Sequence, residues 1–145
     1  MSHYADTGFL CSLYTADANT AKVVAVMRRQ TEALAFTWVH QLELRNALRL
    51  RVFRKEITPA QRDASLKLYL ADLADGILEH ASPEPADVMT EAERLSALHS
   101  EKIGTRSLDI LHVAAALVSG SPVFLTFDKR QAALAKAAGL RVKGP

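Results

Sequence analysis

What the chain has little of sets the first limits. Among 145 residues there is one cysteine, Cys11, which excludes an internal disulfide and any multi-cysteine zinc site. Cys11 stands in an uncharged, mostly apolar stretch, Phe9-Leu10-Cys11-Ser12-Leu13, without an activating base nearby, and reads as a small buried hydrophobe. No run approaches the roughly 18 apolar residues of a membrane span, and no basic segment followed by an apolar run opens the chain. A cytoplasmic protein without a membrane partner is therefore expected. An excess of one charge sign is also missing, since 18 Lys and Arg against 16 Asp and Glu leave +2. That balance is far from a histone-like surplus. The apolar fraction of 49% and charged fraction of 23% exclude a disordered tail, a collagen-like fibre and an acidic solvating domain. A chain of roughly 150 residues buries about 70% of its unfolded surface, so one domain over residues 1–145 is expected.

Strands and helices alternate along the chain. His3–Ala5 is strand-like and ends at Asp6, and Phe9–Tyr14 is helix-like. Ala21–Thr31 is an amphipathic helix, with Val23, Val24 and Met27 apolar and Arg28 and Arg29 outward. Ala35–Trp38 is strand-like, and helical periodicity resumes over Gln41–Phe53 through Leu44, Leu48 and Val52. Thr58-Pro59-Ala60-Gln61 is a capping box with Pro at the first helical position, opening a long helix striped by Leu66, Leu70, Leu73 and Ile77. Ser82-Pro83-Glu84-Pro85 interrupts the chain, and Ala86–Ile103 is again helical, with Gly104 closing it. Ser107–Ser119 is a nearly all-apolar helix, and its Ala114-Ala115-Ala116 run suggests close packing on a sheet. Pro122–Phe127 is a buried strand. Asp128–Gln131 starts a helix that stops at Gly139, and Leu140–Val142 is the last strand. The alternation implies parallel pairing and an α/β fold.

In open parallel sheets, ligands bind beyond the carboxyl ends of the strands. Two acids end strands there, Asp6 and Asp128. Two more begin helices that face the same edge, Glu43 and Asp109. Asp109 stands out, because its helix is otherwise almost wholly apolar and a buried acid needs a partner, a cap or a metal. Asp128 also fits a plain helix cap, Asp6 a turn residue and Glu43 a solvated helix acid. Four converging carboxylates repel, and a hard divalent cation, Mg²⁺ or Mn²⁺, relieves that repulsion better than zinc. Such a site activates water and offsets charge on a phosphodiester, so metal-dependent phosphoryl hydrolysis is inferred.

These residues resemble a known family. Tyr4-Ala5-Asp6-Thr7, Leu42-Glu43-Leu44, the Ser107–Leu117 helix around Asp109, and Leu125-Thr126-Phe127-Asp128-Lys129-Arg130-Gln131 with the later Ala138-Gly139-Leu140 look like a PIN domain. They are most similar to the VapC-type toxin ribonucleases of bacterial toxin–antitoxin pairs, over nearly the whole chain. The resemblance implies a three-layer α/β/α sandwich with a short central parallel sheet. It implies that Asp6, Glu43, Asp109 and Asp128 hold Mg²⁺ or Mn²⁺ and cut RNA, leaving 5′-phosphate and 3′-hydroxyl ends. Thr126 matches a hydroxyl the family keeps beside its site, and Thr7 is expected there too. It further implies a cognate antitoxin and a homodimer, for which the apolar Phe9–Tyr14 and Leu66–Ile77 faces are candidate interfaces. One departure is Gly8, where many members carry Ser or Asn, which puts a polar contact near Asp6 in doubt. A PIN-fold RNA-binding or regulatory module without catalysis is the alternative.

Other signals are weaker. Asp6-Thr7-Gly8 spells the aspartic-protease triplet, but in one copy on a mostly helical chain. Arg45, Arg49, Arg51, Arg54 and Lys55 crowd closely after Glu43. They are a solvated helix face, a rim for phosphates, or in part a contact for an acidic antitoxin segment. Arg45, Arg49, Arg106 and Lys129 are the RNA-binding candidates. His112, about one turn after Asp109, is expected to be a core histidine bonded to backbone. Trp38 reads as a core residue at a strand end.

Overall fold

The computed structural model describes residues 1–144. Each strand is two or three residues long, and all pair in parallel. β1 (Tyr4–Ala5) lies beside β4 (Val123–Leu125), with Tyr4 opposite Phe124. On the far side of β4 lies β5 (Arg141–Lys143). β2 (Leu34–Phe36) pairs with β3 (Leu78–His80) and joins β1 through a single parallel bridge from His3 to Leu34. The His3 amide and carbonyl both serve that junction, at 2.9 Å to Ala33 O and 2.8 Å from Ala35 N. The spatial order is β3-β2-β1-β4-β5, with β1 at the centre.

β1, β2 and β4 are buried at every position, as parallel strands covered on both faces must be. The two-residue period of a strand then divides the core. Tyr4, Ala35 and Phe124 face α5 (Pro85–Leu95), α7 (Ser107–Val118) and α8 (Lys129–Ala137). Ala5, Leu34, Phe36 and Leu125 face α1 (Thr7–Tyr14), α2 (Thr20–Arg28), α3 (Trp38–Phe53) and α4 (Pro59–Ala74). The expected three-layer α/β/α sandwich with a short central parallel sheet is the fold observed. The small Ala114, Ala115 and Ala116 are wholly buried, so α7 sits close on the sheet.

Several expectations change in the structure. The second strand ends at Phe36, and Trp38 starts α3, partly exposed, its indole N–H donating to the Pro83 carbonyl at 2.9 Å. α4 stops at Ala74, and Leu78–His80 is a strand that the sequence pattern does not announce. The buried stripe of α4 runs through Ser65 and Tyr69, while Leu70 is 50% exposed. Helix Ala86–Ile103 is three pieces: α5, a π-helical turn at Ser96–Ser100, and α6 (Glu101–Ile103). Phe9, Leu10, Cys11 and Tyr14 are buried inside the fold, so the Phe9–Tyr14 face is not available as an interface. Among the described residues, no helix is long and apolar enough to cross a membrane.

Candidate active site

Short strands place the acids with little slack. Asp6 follows β1 directly and caps α1, its Oδ1 accepting from the Phe9 amide at 2.7 Å. Its other oxygen accepts from the Thr126 hydroxyl. Asp128 follows β4 after a short turn and caps α8, accepting from the Gln131 amide at 3.0 Å. Thr126 also accepts from the Asp128 amide at 2.9 Å, so one buried hydroxyl ties the two strand-end acids together. Asp109 is at the third position of α7 and accepts from the Arg106 amide at 3.2 Å, half of a capping box. Glu43 is in the second turn of α3, and its Oε1 accepts from the Thr7 hydroxyl at 2.9 Å and from His112.

All four acids line one cavity of about 430 Å³ at the carboxyl edge of the sheet, with Thr7, His112 and Gln131 beside them. Asp6 is 6% exposed. Burial pushes its carboxyl above the ordinary range, against the hydrogen bonds from Thr126 and Phe9, and the Asp128 charge adds to the rise. For Glu43, burial acts upward as well, but the hydrogen bonds from His112 and Thr7 bring it below its usual value. Among the described residues, neither Asp6 nor Asp128 has a cationic side chain within ion-pair distance. A wall of carboxylates short of counter-charge is the donor set of a hard divalent cation. Yet among the described residues no three His, Cys, Asp or Glu side chains gather closely enough to ligate one ion. Both oxygens of Asp6 and of Asp109 accept from protein donors, as does one oxygen each of Glu43 and Asp128.

The basic candidates separate. Arg106 lines the cavity and lies 3.6 Å from Asp109, with its side chain largely in solvent. Arg45 turns away, its Nε donating to the Tyr69 hydroxyl at 2.7 Å, and Arg49 and Lys129 are exposed off the cavity wall. Arg51 does line the cavity, paired with Asp17 at 2.9 Å. At about 100° per residue, Arg45 and Arg49 fall about 160° and 120° around α3 from Glu43, Arg51 about 80° and Arg54 about 20°. Helical phase singles out Arg54 rather than Arg51, so the Asp17 pairing and not phase brings Arg51 to the wall. Asp17, a fifth acid of the cavity, had no such signal, because its partners Ser12 and Arg51 meet it only in the fold. Gln131 was missed for the same reason: it is buried, and its amide nitrogen donates to Asp109 Oδ1 at 3.4 Å across two helices. His112 is buried as expected, but its partners are side chains, Tyr4, Thr7 and Glu43, rather than backbone.

A PIN domain family model matches residues 4–137. No curated protein matches the chain. Among solved structures, VapC20 of Mycobacterium tuberculosis, a sarcin–ricin loop cleaving toxin, superposes with a TM-score of 0.72 at 17% identity, covering 99% of this chain and 100% of that one. VapBC2 from Rickettsia felis, bound to a DNA fragment from its promoter, gives 0.65 at 14% identity, over 99% and 98% of the two chains. VapBC-5 of Mycobacterium tuberculosis, from the VapBC family of toxin–antitoxin systems, gives 0.59 at 23% identity, over 99% and 98%. At these identities the likeness is one of fold.

Proposed function

The chain belongs to the PIN domain family, and from that premise we propose that it is a divalent-metal-dependent endoribonuclease, the toxin of a cytoplasmic toxin–antitoxin pair. In this reading residues 1–145 form one PIN domain. The observation that carries the reading is four acids, brought by four separate elements, lining one cavity where two of them lack a cationic partner among the described residues. Asp6, Glu43, Asp109 and Asp128 would hold Mg²⁺ or Mn²⁺. The ion would supply an activated water and offset the charge of the phosphodiester under attack.

The chain's own groups do the rest. Thr126 and the Phe9 amide fix Asp6, and the Gln131 amide fixes Asp128, so both present their carboxylates without rotamer search. Thr7 holds Glu43. Arg106 and Arg51 at the cavity draw the RNA backbone, a contribution that weakens as salt rises. Arg45, Arg49 and Lys129, being off the wall, would serve at most as outer phosphate contacts. An antitoxin partner is supported by the toxin–antitoxin systems to which the fold is similar. A homodimer would use the α4 side, where Leu68, Leu70 and Ile77 are exposed.

One observation favours the alternative of a non-catalytic RNA-binding module, namely that among the described residues no three ligating side chains converge. Cleavage assays decide between the two. With Mg²⁺ present, Asp6→Asn and Asp109→Asn should each lose about 10²–10³-fold in RNA cleavage rate, the scale of removing a preorganised electrostatic contact. Variants that cut as fast as the parent would sink the catalytic claim.

A further inference from the structure

The Glu43 side of the cavity ends in a buried chain of side chains that the cleavage scheme above does not use. Tyr4, in the central strand, is fully buried, and its ring stacks on Phe124 with centroids 5.5 Å apart. Its hydroxyl is 2.8 Å from His112 Nδ1. His112 Nε2 is 3.0 Å from the Thr7 hydroxyl and meets Glu43 Oε1. His112 rides on α7, three residues after Asp109, so one helix delivers both an acid and this imidazole.

The chemistry of the donors gives the chain a direction. An ionised carboxylate only accepts, so the ring nitrogen touching Glu43 must carry a hydrogen, and in the neutral ring Nδ1 is then bare. The Tyr4 hydroxyl, buried, keeps its proton and donates it to Nδ1. The reverse tautomer would set a lone pair against a carboxylate oxygen. Both contacts to Glu43 fall on Oε1, which leaves Oε2 as the oxygen open to a ligand. Glu43 has the longest side chain of the four acids and the most rotamer freedom to lose on ligating. Among the described residues, it is also the one acid of the four that accepts from no main-chain amide. The geometry points to His112, oriented by Tyr4, as a positioning residue that fixes Glu43 for the cation, by the logic through which outer groups orient metal ligands. This rests on the metal reading above.

Two measurements on the full chain test it. Nitrogen-15 NMR of the His112 ring should show the Nε2–H tautomer in the parent, and in Tyr4→Phe a loss of the hydrogen-bonded Nδ1 signature. The Nδ1–H tautomer in the parent overturns the proposal. Mn²⁺ titration calorimetry should show binding about tenfold weaker or worse in His112→Leu, with His112→Gln, whose amide nitrogen replaces Nε2, within about threefold of the parent. Far-UV circular dichroism establishes that both variants fold. Should His112→Leu fail to fold, His112→Gln against His112→Asn makes the same comparison, since the shorter amide falls short of Glu43. Equal Mn²⁺ affinity in parent and donor-lacking variants overturns the positioning role while leaving the metal site. No Mn²⁺ binding by the parent overturns both.

Discussion

The four carboxylates are held by two different means. Asp6 and Asp128 follow strands and cap helices, so a main-chain amide fixes one oxygen of each at 2.7 and 3.0 Å. Glu43 and Asp109 lie within helices: Glu43 depends on Thr7 and His112, side chains from elsewhere, and Asp109 adds Gln131 to its own Arg106 amide at 3.2 Å. The first pair is placed by local backbone. Of the second, Asp109 keeps a local main-chain tie as well, while Glu43 is placed by tertiary packing and inherits every weakness of the helices that meet there. The difference means that one side of the cavity should withstand perturbations that disorganise the other.

Acid should expose that difference most strongly. His40, at the start of α3, accepts from the Thr37 amide at 3.0 Å through Nδ1 and donates to the Ala5 carbonyl at 2.7 Å through Nε2. Burial, with neighbouring His112, pushes its pKa down to about 3. Between that value and about 6.5 the unfolded chain binds the extra proton, so stability increases with pH and is lost as pH falls. The loss is about 1.4 kcal/mol per pH unit, or about 3 kcal/mol over two units. Urea midpoints from pH 7 to 4 should follow this slope, and His40→Gln should flatten it. A parent midpoint that ignores pH in that window breaks the argument.

Gln131→Leu probes the other helix-borne acid. It removes the amide contact to Asp109 at 3.4 Å but keeps the main-chain amide that caps with Asp128. Mn²⁺ binding measured by calorimetry should weaken about tenfold, and unchanged affinity would show that Asp109 needs no help. The smallest effect belongs to the cap-held pair. Asp128→Asn should stay within a few tenths of a kcal/mol of the parent, whereas Asp128→Ala should cost about 1 kcal/mol. In a thermal melt that is a drop of about 2–4 °C, and equal melting of the two variants would argue that capping does not hold Asp128.

The same division explains what could be read before folding. The strand-end acids and Asp109 were legible because strand, cap and apolar helix are local patterns, and α7, β4 and α8 emerge close to the expected bounds. β3 was not, since Leu78-Glu79-His80 offers one buried residue at a sheet edge and takes its conformation from pairing with β2. Leu70 looked buried because leucine outranks tyrosine in hydropathy, yet Tyr69 won the core position through its stacked contact with Phe36. The partners of His112 lie 69, 105 and 108 residues away, a separation no periodicity in sequence can register.

Gly8, on the cavity wall beside Asp6, has a consequence for change in this protein. A side chain begun there would meet nothing closer than Asp6 Oδ1 at 3.6 Å, an ordinary contact. The glycine is therefore not demanded by the backbone, and the wall carries an unfilled socket next to its most buried acid. A Cβ could be added there by a single codon change without displacing a neighbour. Position 8 is thus a place at which selection, or an engineer, can begin a side chain on the cleft wall.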